Sequence, residues 1–302
     1  MGQILSLLES GKVLVSDGAM GTELFRHGKM REVCLEQLNF TRPELIQLIH
    51  QNYLKAGSDI IQTNSFGANR ARLANYGLEE CSATYSRRAA EIARAVCPPD
   101  KFVAGSIGPT GEMFSPAGQM TQEEAFSIFA EQAQALSEGG ADILFIETMT
   151  SAEEAVTALS AAKKTTNLSV AVSMSFELVN GHCRTIWGED AARVVARLEK
   201  EGADIIGANC GRGIDEMISV IRTVRPLTSR PVIAQPNAGL PEWTKGRCVY
   251  RESPAEIKER AEILIRSGVN IIGGCCGTTP EHISVFRKIA DSINKSPQVL
   301  QA

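Results

Sequence analysis

Hydrophobic positions along this chain fall into short runs at regular intervals. Four runs share one pattern: GSDIIQTNS from Gly57, GADILFIET from Gly140, GADIIGANC from Gly202 and GVNIIGGCC from Gly268. Each opens on a glycine, a residue suited to the left-handed conformation that closes a helix. A small or β-branched residue, then Asp or Asn, then an apolar run follow. The pattern predicts a helix C-terminus feeding a buried parallel strand. Four more apolar runs lie between these, at 12–16, 102–106, 169–175 and 231–235. All are short and nearly continuously apolar, as strands covered on both faces are.

Amphipathic stretches separate the runs and predict helices over 43–56, 122–137, 152–164, 190–200, 254–266 and 280–293. Several begin at helix-start signals: Thr41-Arg42-Pro43-Glu44, Ser151-Ala152-Glu153-Glu154, Ser253-Pro254-Ala255-Glu256 and Thr279-Pro280-Glu281. Alternating β and α units predict an α/β fold, a single (β/α)8 TIM barrel over residues 1–302. A doubly wound open sheet is the alternative, but such sheets seldom repeat alternate strands so regularly. The longest irregular stretches, 18–41, 108–121 and 237–253, all follow odd strands and predict a binding rim. The segment 176–189 contains His182 and Trp187 and reads either as part of that rim or as a capped loop around a packed Trp.

Composition narrows the classes. A charged fraction of 22%, a net charge of −4 and no basic run of five residues argue against a nucleic-acid partner. No apolar stretch reaches 18 residues, so no membrane span is expected. Met1–Ser10 lacks the features of a secretory signal, and a cytoplasmic location is expected. Met1-Gly2 to Ser6 fits the loose myristoylation pattern, yet Ile4, Leu5, Leu7 and Leu8 read better as a short helix packed on the body. The eight cysteines are then reduced: core hydrophobes, metal ligands or nucleophiles. Cys34, Cys81, Cys97, Cys183 and Cys248 read as core.

In such a barrel chemistry sits where the strands end. Counting on from each repeat glycine reaches Asn64-Ser65, Glu147-Thr148, Asn209-Cys210 and Cys275-Cys276, and the first strand ends at Asp17-Gly18. Three cysteines and two carboxylates therefore converge on one face. Cys210, Cys275 and Cys276 suit a catalytic zinc, which takes three protein ligands and leaves the fourth position open. For Cys275 and Cys276 to share one ion the chain must kink, and Gly273, Gly274 and Gly277 permit it. A vicinal disulfide or redox pair is the other reading, although C-C is not the C-x-x-C of dithiol enzymes.

Three thiolates on Zn²⁺ leave a net formal charge of −1, poorly suited to activating water. They suit a substrate thiol as fourth ligand, deprotonated by the metal and still nucleophilic. Asp17 and Glu147 end the runs VLVSD and ILFIE, where a buried charge requires a partner. That partner is a substrate ammonium or a protein Lys or Arg. The Gly18-Ala19-Met20-Gly21-Thr22 turn offers amides to a carboxylate. An amino acid bearing a thiol meets all these terms.

These residues resemble a known family. SDGAMGTEL, QTNSFGANR, GSIGPTG, IETM, GANCGRG, QPNAGLP and GGCCGTTPEHI, spread over about residues 13–290, are similar to the homocysteine S-methyltransferase family, and within it to the homocysteine-binding module of cobalamin-dependent methionine synthase. The resemblance implies zinc at Cys210, Cys275 and Cys276 and homocysteine as methyl acceptor, made into methionine. It implies that Asp17 and Glu147 hold the ammonium, and that Gly18, Ala19 and Thr63 help fix the carboxylate. Asn237 resembles the residue that fills the fourth zinc position without substrate; by itself PNAG reads as a turn. GGCCGTTP and NAGLP resemble the corrinoid-dependent branch more than those using betaine or S-methylmethionine. No second barrel or corrinoid domain is read in the chain, so methylcobalamin or another methylcobamide is expected from a separate corrinoid protein. Other readings remain: a different donor or thiol, a non-catalytic homocysteine-binding component of a corrinoid complex, and, more remotely, a water-activating zinc hydrolase.

Overall fold

The computed structural model describes residues 2–28, 34–244 and 247–295. Eight parallel strands form one sheet: β1 (Leu14–Val15), β2 (Ile60–Gln62), β3 (Phe102–Ile107), β4 (Ile143–Met149), β5 (Ser169–Met174), β6 (Ile205–Cys210), β7 (Val232–Pro236) and β8 (Ile271–Ile272). Each pairs with its sequence neighbour, and β8 pairs with β1. A parallel bridge between Ser16 and Ile60 joins β1 to β2, so the sheet closes into a (β/α)8 barrel rather than an open sheet. The helices that return the chain are α1 (Pro43–Ala56), α2 (Ser82–Val96), α3 (Gln122–Glu138), α4 (Ala152–Thr165), α5 (Ala191–Glu201), α6 (Ile214–Val224), α7 (Lys258–Arg266) and α8 (Pro280–Lys295).

The repeated motif now has a physical meaning at two positions. Its glycines all end the preceding helix with positive φ: 104° at Gly57, 99° at Gly140, 93° at Gly202 and 96° at Gly268. Its acidic or amide residue clips the neighbouring strand. Asp59 accepts the Val15 amide at 2.9 Å, Asp142 that of Val103 at 2.7 Å, Asp204 that of Val170 at 2.7 Å and Asn270 that of Val232 at 2.8 Å. Lys101 and Arg287 pair with Asp59, Arg94 with Asp142 and Lys163 with Asp204. Otherwise unpaired amides at the strand starts are thereby satisfied.

Side chains along each strand alternate between the barrel interior and the helix layer. The interior set is Leu14, Ile60, Phe102, Ala104, Ile143, Phe145, Ala171, Ile205, Ile233 and Ile271. Ile4 and Leu8 join it from the helix Gln3–Glu9, which plugs the end where the strands start. This is the short packed helix expected from the sequence. Two residues further along the strands, or four on β6 past Gly207, the same parity brings Ser16, Gln62, Ser106, Glu147, Ser173, Asn209, Gln235 and Gly273 inward. The core is thus oily below and polar at the mouth.

Three local features differ from expectation or add to it. The seventh helix starts at Lys258 rather than 254, because Ser253 and Glu256 exchange capping bonds around a turn before it. Helix α3 begins with a full capping box, Thr121 with Glu124. The segment 176–189 is a hairpin, Glu177–Val179 with His182–Arg184, turned by Asn180-Gly181 with φ of 52° and 79°. Its Trp187 is 60% exposed, which rules out the packed-Trp reading.

Candidate active site

The structure brings Cys210, Cys275 and Cys276 together, with their sulfurs all within 4.8 Å of one another. Sulfurs around one tetrahedral zinc stand roughly 3.8 Å apart, given Zn–S bonds of about 2.3 Å. Cys210 ends β6 with φ of 69°, a conformation seldom adopted outside glycine. The β8 side continues as a ladder: Gly273 and Cys275 donate their amides to Ala234 and Pro236 at 3.0 and 2.9 Å. The chain then turns sharply, with the Thr278 amide and hydroxyl both bonded to the Cys275 carbonyl at 3.2 and 2.7 Å. Gly277 makes the kink with φ of 83°, and any side chain there would enter the ring of Tyr250.

The three thiols cannot ionise independently. Cys210 is driven down to about 3, chiefly because Cys275 and Cys276 donate to its sulfur. The same contact with Cys210 drives Cys275 well above its ordinary value and Cys276 up to about 11. The three sulfurs thus titrate as one coupled group, and a divalent cation held by them would favour their deprotonated forms. Asn237 adds an independent sign. Its Nδ2 lies 3.5 Å from the Cys210 sulfur and donates to the Gly211 carbonyl at 2.7 Å, while its buried Oδ1 has no partner. With its nitrogen beside the Cys210 sulfur and its oxygen unpartnered, Asn237 has a polar atom to spare at a cluster whose three sulfurs suit zinc.

Asp17 and Glu147 face the same mouth. Asp17 is 1% exposed and accepts from the Gln62 amide at 2.8 Å, from Gln62 Nε2 at 3.0 Å and from Ser16 Oγ at 3.3 Å. Burial nevertheless raises its carboxyl to about 7, and the nearby Glu147 adds to the rise. Glu147 is also raised to about 7 by burial, against a hydrogen bond from Ser106 Oγ and with Cys210 close enough to add repulsion. Neither carboxylate has a basic partner among the described residues. Among the described residues, then, no protein cation accounts for these two acids. Thr148, next to Glu147, has φ of 59° and exchanges bonds with the Asn209 side chain at 2.8 and 2.7 Å. Asn209 Nδ2 also points to the Cys275 sulfur at 3.8 Å. This pair, which sequence reasoning missed, ties the carboxylate strand to the thiol cluster.

The remaining expected positions lie close by. A side chain on Gly18 would collide with Thr278 and Tyr53. The Ala19 amide donates to Thr278 Oγ1 at 3.2 Å, and its carbonyl accepts from Tyr53 at 2.8 Å. The Thr63 hydroxyl contacts Ser65 Oγ at 2.6 Å and accepts from the Ser106 amide at 2.9 Å. Asn64 is a brace rather than a mouth residue: it bonds Leu35 and Asn39, fixing the first rim loop to β2.

The site is thus a cluster of three cysteines beside two carboxylates with no cation among the described residues, at the mouth of a parallel barrel. A homocysteine S-methyltransferase model matches residues 14–290, and the chain belongs to that methyltransferase family. Methionine synthases of Mycobacterium leprae and Mycobacterium tuberculosis are each 32% identical over 93% and 94% of the chain. The chain spans only about a quarter of their length, 24% and 25%. The metallated form of the homocysteine methyltransferase MmuM from Escherichia coli superposes with a TM-score of 0.78 at 25% identity, covering 94% of this chain and 98% of that one.

Proposed function

We propose that this chain methylates homocysteine on sulfur to give methionine. One observation carries the reading: a three-cysteine cluster stands at the same mouth as Asp17 and Glu147, two acids with no cation beside them among the described residues. Cys210, Cys275 and Cys276 would hold zinc, with Asn237 as the fourth ligand before substrate arrives. Zinc, when bound, supplies deprotonation of the incoming thiol while keeping its sulfur nucleophilic. Asp17 and Glu147 would hold the ammonium, with the substrate sulfur directed to the neighbouring cysteine cluster. Gly18, Ala19 and Thr63 would help fix the substrate carboxylate. The strained turns at Thr148 and Cys210 hold these groups in place before binding, so little reorganisation is left to the reaction.

The methyl donor we propose is a methylcobamide brought by a separate corrinoid protein, supported by the 32% identity to methionine synthases. A second reading has a donor that needs no corrinoid, such as S-methylmethionine or betaine. It is favoured by the match to almost the whole of a stand-alone homocysteine methyltransferase barrel. Turnover of homocysteine with methylcobalamin, betaine and S-methylmethionine in parallel decides between them. Methionine from methylcobalamin alone is expected. Methionine only from an onium donor overturns the corrinoid assignment, and full activity in metal-free protein overturns the zinc.

A further inference from the structure

Two buried carboxamide oxygens in the polar floor have no partner, Gln62 Oε1 and Gln235 Oε1. Gln62 has a fixed orientation. Its Nε2 donates to Asp17 Oδ1 at 3.0 Å, which leaves Oε1 as the free end. The Gln235 side chain lies across Gly273 from the Asp17 main chain. Between them β8 contributes Gly273, where a Cβ would lie 2.8 Å from Ser16 Cβ, 3.0 Å from the Asp17 carbonyl and 3.3 Å from Gln235 Cγ. The missing side chain lets Gln235 lie beside Ser16 and Asp17. A buried acceptor left without a donor is costly to a fold, and two such oxygens on neighbouring inward positions of the mouth ask for N–H groups.

We propose that Gln62 and Gln235 present their carboxamide oxygens to the α-ammonium of the substrate and complete its seat with Asp17 and Glu147. The proposal rests on the reading of this mouth as a homocysteine site and adds a selection rule. A primary ammonium offers three N–H donors to this ring of acceptors; a quaternary ammonium of equal charge offers none. The floor therefore selects a protonated primary amine rather than any cation.

The test compares binding of homocysteine and its desamino analogue, 4-sulfanylbutanoate, to zinc-loaded protein. Both ligands carry the thiol and the carboxylate, so loss of zinc or fold weakens both alike. Gln62→Met and Gln235→Met keep the volume and remove the acceptor. Each is expected to lower the preference for homocysteine roughly tenfold or more and to leave the analogue unchanged. Gln62→Glu keeps an oxygen and is expected to retain the preference. An unchanged ratio in either Met variant overturns the proposal. So does an equal loss in Gln62→Glu, since Gln62 would then act only by donating to Asp17. If the wild-type protein binds both ligands equally, the ammonium seat itself is refuted. If it binds neither, the homocysteine reading fails first.

Discussion

At the end of the barrel where strands start, Asp59, Asp142 and Asp204 each accept a strand amide and each face a lysine or arginine. At the end where strands finish, Asp17 and Glu147 accept only neutral donors and have no cation beside them among the described residues. The same eight strands carry both sets. An acid balanced within the chain serves the fold; an acid denied a partner by its surroundings is complementary to something that arrives from outside.

Breaking the mouth has the largest expected effect. Cys276→Ala removes one of three sulfurs, and zinc bound per chain should fall from about one to near zero, with methyl transfer lost and the barrel still folded. Metal analysis beside circular dichroism checks both halves. Full zinc occupancy in this variant refutes the ligand set.

Next comes the carboxylate. Glu147→Gln should weaken homocysteine binding by about 10- to 100-fold, the range for losing a hydrogen bond to a charged group. Zinc content should stay at the wild-type level. The same variant should raise the melting temperature of the substrate-free protein near neutral pH, because an acid raised to about 7 resists ionising in its buried place. A lower melting temperature would show that Glu147 is needed by the fold after all.

The strand-start end should behave in the opposite way. Asp204→Ala strands the Val170 amide and the Lys163 charge, and a loss of about 1–3 kcal/mol in stability is expected, with zinc and turnover per folded molecule intact. Urea denaturation measures the first and single-turnover assays the second.

The smallest effect is a trend with pH. Asp17 and Glu147 hold their protons more tightly folded than unfolded. Their contribution is therefore greatest below about pH 4, where both states are protonated, and is lost as pH rises through about 7. Homocysteine affinity should rise over the same interval as the seat ionises. A melting temperature that climbs from pH 5 to 7 in the substrate-free protein contradicts this assignment.

Much of this was legible in the sequence because two periodicities are strong. The glycine-led repeat marked strand starts, and counting from it reached Glu147, Cys210, Cys275 and Cys276. The clip made by Asp59, Asp142, Asp204 and Asn270 is part of the same repeat, but its acceptor role depends on which strand lies alongside. The Thr148–Asn209 link and the unpartnered oxygens of Gln62, Gln235 and Asn237 were hidden for the same reason: a hydrogen bond made or missed across strands leaves no local pattern. The Asn180-Gly181 hairpin was readable from its turn dipeptide. Trp187 was not, since exposure depends on what else covers a loop.

Each acidic or amide clip ties an even strand to the odd strand just before it, so the wall consists of four stapled pairs. Every pair then contributes one piece to the mouth: Asp17 from the first, Glu147 from the second, Cys210 from the third, Cys275 and Cys276 from the fourth. On the proposed function, the first half of the chain supplies the charge that would orient an amino acid, and the second half the sulfurs that would handle its thiol. Neither half contains a working centre. Chemistry in this barrel is a property of closure, switched on only when its first and last quarters meet.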